Sequence, residues 1–141
     1  YPKEIKAGQI SSDIVLNLDF APTFLDYAGI HNPIGIQGKS LRSLTRGQRP
    51  KDWRTSMYYH YYEYPQGWHF VKRHYGIRTK RYKLIHFYND IDAWEFFDLQ
   101  KDPGEINNVY NDPAYKDVIE KTKQELMKLR QEVGDTNPIN H

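Results

Sequence analysis

The chain has 141 residues and a net charge of +2, and its length fits one domain or one domain with an appended segment. Aromatic residues make up 15% of it, which argues against an intrinsically disordered chain. The absence of cysteine excludes disulfides, thiolate metal sites and a cysteine nucleophile within this chain. No apolar run reaches the roughly 18 residues that a membrane-spanning helix needs. Because the chain begins with Tyr1 and not with Met, we expect it to be a piece of a longer protein.

The first predicted element is a short helix at residues 19–28. Asp19 is a suitable N-cap, and Pro22 is tolerated only in the first turn. Its apolar residues follow helical spacing: Phe20, Phe24, Leu25 and Tyr27. Residues 29–50 are rich in Gly, Pro, Ser and Arg and predict a loop with one turn near residues 40–44. Such a loop is long for a compact domain, so we expect part of residues 1–50 to belong to another domain.

Four strand-like runs follow in the middle of the chain, and they predict a small antiparallel sheet. They are rich in aromatic and β-branched residues and are separated by short polar turns. The runs are residues 55–63, 70–79, 82–88 and 93–99.

The last predicted element is a long amphipathic helix. Asp112 and Pro113 form a strong helix start, as N-cap and first helical residue. Apolar residues then keep helical spacing up to Val133, and Gly134 ends the helix. The predicted fold class is therefore α+β: a four-stranded antiparallel sheet packed by one long C-terminal helix, after a short helix and a long loop.

Charge is unevenly distributed in the second half of the chain. No acidic residue lies between Glu63 and Asp90, a window with six Lys or Arg and three His. From Asp90 to Asp135 there are twelve acidic residues and six Lys or Arg. The pattern predicts either a site for an anionic ligand or mutual neutralisation of the two segments in the fold, and it favours neither.

The basic window contains a compact candidate site. Imidazole and guanidinium groups bind sulfate, phosphate or carboxylate through charge-assisted hydrogen bonds. The groups that the sequence brings together here are His69, Lys72, Arg73 and His74. The alternative is a solvated hairpin edge whose charges discourage aggregation.

Other kinds of chemistry have weaker support. His60 with Glu63, or His69 with His74, could begin a metal site, but neither pair has a clear third ligand, so we predict no metal. No serine lies in a nucleophile elbow, and no glycine-rich phosphate loop is present, so we predict no catalytic residue. Single-stranded nucleic acid stays a lesser alternative, because the aromatic residues cluster in residues 58–64, the basic residues cluster in residues 72–83, and no recognisable motif is present.

Four segments, in order, resemble the C-terminal part of sulfatases of the arylsulfatase type, in particular the bacterial N-acetylglucosamine-6-sulfatases. The resemblance covers roughly residues 10–132. It is carried by residues 18–29 (LDFAPTFLDYAG), 36–41 (IQGKSL), 76–85 (GIRTKRYKLI) and 95–105 (EFFDLQKDPGE), with Asn107 and Asn108 shortly after.

The resemblance implies a division of the chain and a missing partner. Residues 1–50 would be the end of the large catalytic α/β domain and its connecting loop, and residues 51–141 the small C-terminal subdomain. Sulfatases hydrolyse sulfate esters with a formylglycine, made from Cys or Ser in a Cys/Ser-x-Pro-Ser-Arg motif, and with calcium. None of the eight prolines here lies in such a motif. Formylglycine and calcium are therefore expected in the missing N-terminal catalytic domain, no cofactor is expected in this chain, and the fragment should be inactive alone.

The resemblance also implies what the C-terminal subdomain does. In sulfatases it closes one side of the active-site cleft, so a sulfated carbohydrate of the glycosaminoglycan type is the expected ligand, in a periplasmic or extracellular setting and without a membrane partner. The residues expected to contact substrate are His69, Arg73, His74, Tyr62 and Glu63. We expect Arg78 and Lys83 to pair instead with acidic residues such as Asp98 or Glu95. The alternative function is an independent binding module for an anionic glycan or single-stranded nucleic acid.

Overall fold

The computed structural model describes residues 1–31 and 35–135. The chain separates into two compact units, Tyr1–Thr55 and Ser56–His141. Among the described residues, no helix is both long enough and apolar enough to cross a membrane.

The first unit contains a 3-10 turn at Asn17–Asp19, helix α1 at Phe20–Tyr27 and the short helix α2 at Arg42–Thr45. The predicted short helix is confirmed, and α2 forms the turn predicted within the long loop. The exposed face of α1 carries Phe20 and Phe24, which are 53% and 69% exposed.

Asp19 organises the first unit through tertiary contacts, although the sequence predicted it as a helix cap. Its carboxylate accepts hydrogen bonds from the backbone nitrogens of Leu16 and Lys39, both at 2.8 Å, and makes no side-chain capping bond to α1. Arg54 approaches the same carboxylate through both terminal nitrogens. Burial raises the pKa of Asp19, but these hydrogen bonds and the positive charge outweigh it, so the net pKa is lowered.

The second unit is built on a four-stranded antiparallel sheet in the order β1-β2-β3-β4. The strands are β1 (Ser56–Tyr61), β2 (His74–Thr79), β3 (Tyr82–Phe87) and β4 (Ala93–Asp98). β2 begins four residues later than the alternation from residue 70 predicted. Phe70 lies at φ 49°, a left-handed conformation that a strand does not accommodate.

Helix α3 (Lys116–Glu132) follows a 3-10 turn at Pro113–Tyr115. The predicted N-cap is confirmed, since Asp112 Oδ1 accepts a hydrogen bond from the nitrogen of Ala114 at 2.9 Å. One face of the sheet forms the hydrophobic core with α3, which contributes Ile119 and Leu126. The predicted α+β fold class is therefore confirmed: a four-stranded antiparallel sheet, a short helix and one long helix.

The basic and acidic segments neutralise each other in part. Arg73 pairs with Asp90, Arg81 with Asp98 and Lys83 with Glu105. Lys83 therefore pairs with an acidic residue, as expected, but the partner is Glu105 and not Asp98 or Glu95. In the hairpin register Lys83 lies opposite Phe97, and Arg81 reaches Asp98 from the turn that precedes β3.

Candidate functional site

The connection between β1 and β2 carries the predicted site. Four of the five expected substrate-contacting residues lie in this connection, and the fifth, His74, is the first residue of β2. The antiparallel pair β1–β2 brings the two ends of the connection together, with Tyr61 opposite His74. The residues at these ends are therefore positioned by the sheet, and those between them project from it.

Arg73 is held at one end of the connection by Asp90, from the turn between β3 and β4. Its Nε and Nη2 atoms each donate to one carboxylate oxygen of Asp90 at 3.0 Å. The backbone oxygen of Arg73 accepts from the nitrogen of Tyr88 at 3.2 Å. The hydrogen bonds from Arg73 lower the pKa of Asp90, and those to Asp90 raise the pKa of Arg73. Arg73 therefore fixes the connection to the neighbouring turn and shares its charge with a carboxylate.

His74 is oriented by the main chain. Its Nδ1 lies 2.8 Å from the backbone oxygen of Lys72. A carbonyl oxygen can only accept, so we assign the proton to Nδ1, and Nε2 is then an acceptor in the neutral ring and a donor in the charged ring. The imidazole stacks on Tyr61, with ring centroids 5.5 Å apart and an interplanar angle of 23°. The ring plane and the tautomer are thus both fixed before any ligand binds.

The other predicted residues lie farther along the connection. Tyr62 is 70% exposed, and its ring contacts that of His60 edge-on at 4.9 Å. Glu63 accepts a hydrogen bond from Tyr61 Oη at 3.2 Å. His69 is exposed. The structure therefore places Arg73 and His74 next to each other at the sheet, and Tyr62, Glu63 and His69 on the more exposed part.

The structure draws attention to three residues that the sequence had not indicated as part of the site. Trp68 and Phe70 are 93% and 77% exposed within the same connection, and Asp90 anchors Arg73. The sequence signal for the aromatic pair was two large apolar residues directly after a Pro-Gln-Gly turn, but the alternation placed Phe70 in the predicted strand at residues 70–79. In the sequence, Asp90 marks only the boundary between the basic and the acidic segment.

His60, considered above as a metal ligand, belongs to a structural network between the sheet and the end of α3. Its Nδ1 lies 2.7 Å from Asp135 Oδ2, and its Nε2 is hydrogen-bonded to Tyr88 Oη. Tyr58 Oη donates to the same oxygen of Asp135. Burial raises the pKa of Tyr58, and Asp135 raises it further. Within residues 1–31 and 35–135, no group of three or more His, Asp or Glu side chains could hold a metal ion.

Comparison with known proteins identifies the family. Residues 1–132 match the family model described as "N-sulphoglucosamine sulphohydrolase, C-terminal". The chain is 56% identical over 134 residues to an N-acetylglucosamine-6-O-sulfatase of Bacteroides thetaiotaomicron, covering 94% of this chain and 23% of that protein. It is 32% identical over 126 residues to an arylsulfatase of Clostridium perfringens, covering 87% of this chain and 24% of that protein.

A solved structure gives the same result. It is described as a complex with its substrate D-glucosamine-2-N,6-O-disulfate, and it matches with a TM-score of 0.94 and 51% identity. The match covers 99% of this chain and 28% of that one. The chain thus spans about a quarter of the length of these relatives. With both sequence and fold matched along almost its whole length, the chain belongs to the N-sulphoglucosamine sulphohydrolase C-terminal family and corresponds to the C-terminal region of its sulfatase relatives.

Proposed function

We propose that the longer protein hydrolyses a sulfate ester on a glucosamine-type sugar and that this chain forms part of its substrate pocket. One observation carries the proposal: 56% identity to an N-acetylglucosamine-6-O-sulfatase over 94% of the chain. The solved structure with D-glucosamine-2-N,6-O-disulfate, at 51% identity, supports the same class of substrate.

The catalytic domain and its chemistry are assigned to the rest of the protein. Residues 1–50 are its final helix and exit loop, and residues 51–141 are the C-terminal subdomain. The exposed apolar face of α1, with Phe20 and Phe24, supports this division because a larger domain would bury it. Calcium and a formylglycine belong to that domain. This chain has no cysteine, and none of its prolines lies in a formylglycine motif, so it is inactive alone.

The predicted site residues line the sugar side of the pocket. His74 offers Nε2 to a sugar hydroxyl when neutral and to a sulfate oxygen when protonated. Arg73 uses Nε and Nη2 for Asp90, which leaves Nη1 to donate to a sulfate oxygen. His69, Tyr62 and Glu63 make further contacts with the sugar.

The proposed partners of this chain are the catalytic domain and a sulfated carbohydrate of the glycosaminoglycan type. We place the protein in the periplasm or outside the cell, where such polysaccharides are encountered. Both assignments rest on the sulfatase relatives.

The proposal is tested by expressing the full-length protein together with the matched 141-residue chain. Each is incubated with D-glucosamine-2-N,6-O-disulfate, and released sulfate is measured by ion chromatography. We expect sulfate release from the full-length protein and none from the 141-residue chain.

The upstream sequence provides a second check, because a Cys/Ser-x-Pro-Ser-Arg motif is expected there. A full-length protein without this motif and without sulfate release would contradict the proposal. Binding of an anionic glycan by the 141-residue chain alone would then favour an independent binding module.

A further inference from the structure

We propose that residues 62–71, here called the aromatic arm, bind a second sugar of a sulfated oligosaccharide, mainly through Trp68 and Phe70. This inference rests on the proposed function, because it assigns an additional subsite to the same pocket. It makes the enzyme selective for an oligosaccharide over the isolated sulfated monosaccharide.

The exposure of aromatic side chains singles out this arm. In the described part of the second unit, every exposed aromatic residue lies in it: Tyr62, Trp68 and Phe70, at 70%, 93% and 77%. All other aromatic residues of residues 56–135 are buried or half-buried. Large apolar side chains grouped in water indicate a surface that a ligand or partner covers.

The arm projects from a fixed base. Arg73 is bound to Asp90 through two hydrogen bonds and to Tyr88 through its backbone oxygen. Lys72 Nζ donates to Tyr64 Oη at 2.6 Å, which joins the two sides of the arm. A ligand that contacts Trp68 or Phe70 therefore meets an arm whose ends are already positioned, which reduces the entropy lost on binding.

The charge next to the arm favours a sulfated sugar as its occupant. Lys72 Nζ lies at the base of the arm, His69 lies between the two exposed aromatic residues, and Glu63 is the one acidic residue within the arm. An aromatic ring offers a flat apolar surface to the C–H face of a pyranose ring, while basic groups attract its sulfate. Packing of the arm against the catalytic domain is the alternative, and the experiment distinguishes it from sugar binding.

The experiment compares two substrates in the full-length protein. Sulfate release is measured for D-glucosamine-2-N,6-O-disulfate and for a tetrasaccharide that ends in the same sugar. The variants are Trp68→Ala and Phe70→Ala, and Ile106→Ala is the control because Ile106 is 82% exposed but lies outside the arm. The measured quantity is the ratio of kcat/KM for the tetrasaccharide to kcat/KM for the monosaccharide.

We expect Trp68→Ala to lower this ratio about threefold to tenfold and Phe70→Ala to lower it by less, with no change for Ile106→Ala. An unchanged ratio in Trp68→Ala overturns the inference. A loss that is equal for both substrates also overturns it, because it indicates that the arm packs against the catalytic domain or shapes the first sugar site.

A direct binding measurement separates this inference from the proposed function. If the wild-type protein releases no sulfate from either sugar, the proposed function fails. Isothermal titration calorimetry with the same tetrasaccharide and monosaccharide then decides the inference. Tighter binding of the tetrasaccharide that Trp68→Ala abolishes supports the arm, and equal binding in the wild type and Trp68→Ala overturns it.

Discussion

His74 illustrates how local contacts orient a side chain. The backbone oxygen of Lys72 fixes the proton on Nδ1, and the stack on Tyr61 fixes the ring plane. Only Nε2 then remains to respond to a ligand. A ligand would therefore meet a ring whose orientation is already set by the protein.

Replacement of His74 tests whether its Nε2 atom contacts the substrate. We expect His74→Ala in the full-length protein to lower kcat/KM for the sulfated sugar about tenfold to a hundredfold, while the unfolding temperature changes little. His74→Asn keeps a donor near the position of Nδ1 but lacks Nε2. If Nε2 contacts substrate, Asn is as impaired as Ala. Wild-type kinetics in His74→Ala would remove this residue from the site.

The role of Asp90 depends on its ion pair with Arg73. Its pKa is lowered because Arg73 donates two hydrogen bonds to the ionised carboxylate. A carboxyl group whose folded-state pKa is depressed stabilises the fold above its unfolded pKa, about 3.9 for Asp. This stabilisation is lost as the pH falls through the folded-state value.

The expected outcome for Asp90→Asn is a lower unfolding temperature than the wild type at neutral pH. The difference should begin to narrow below about pH 4, where Asp90 of the unfolded chain takes up a proton, and should vanish once the pH falls through the lower folded-state pKa of Asp90. Differential scanning calorimetry at neutral pH and at acidic pH measures the unfolding temperatures of the variant and the wild type. Glu120→Gln, on the exposed side of α3, serves as the control. A difference between Asp90→Asn and the wild type that is equally large at both pH values would contradict this role of the ion pair.

At the level of elements, local sequence signals found most of the second unit. The helical region begins after Asp112 and ends before Gly134, as predicted. Both signals are local, because capping and a left-handed glycine act within a few residues. The four strands were found from β-propensity and intervening turns. The start of β2 was missed because alternation continues through residues 70–73, whereas the backbone of Phe70 does not remain extended.

The packing of α3 on the sheet provides the element-scale prediction. Leu126 is fully buried in the core, while its neighbour Met127 is 43% exposed. We expect Leu126→Ala to reduce the free energy of unfolding by about 2–5 kcal/mol and Met127→Ala by about 0.5 kcal/mol or less. Urea titrations followed by tryptophan fluorescence compare the two. Equal losses would mean that α3 does not pack through the face that carries Leu126.

At the level of the whole molecule, the two units differ in how they bury their apolar residues. The second unit has a core of its own between sheet and helix. The first unit leaves Phe20 and Phe24 largely exposed, and the chain spans about a quarter of the length of its relatives. Both facts are expected if the first unit completes a larger domain, as proposed above.

The sequence by itself determined the fold class, the family resemblance and the separation of basic from acidic residues. Each of these depends on local spacing or on residues that lie close together in the chain. Only the tertiary structure decided which charges neutralise each other, that Asp90 anchors Arg73 and that Trp68 and Phe70 stay in water. The physical reason is that ion pairing and burial depend on strand register and turn geometry, which bring residues distant in the chain together.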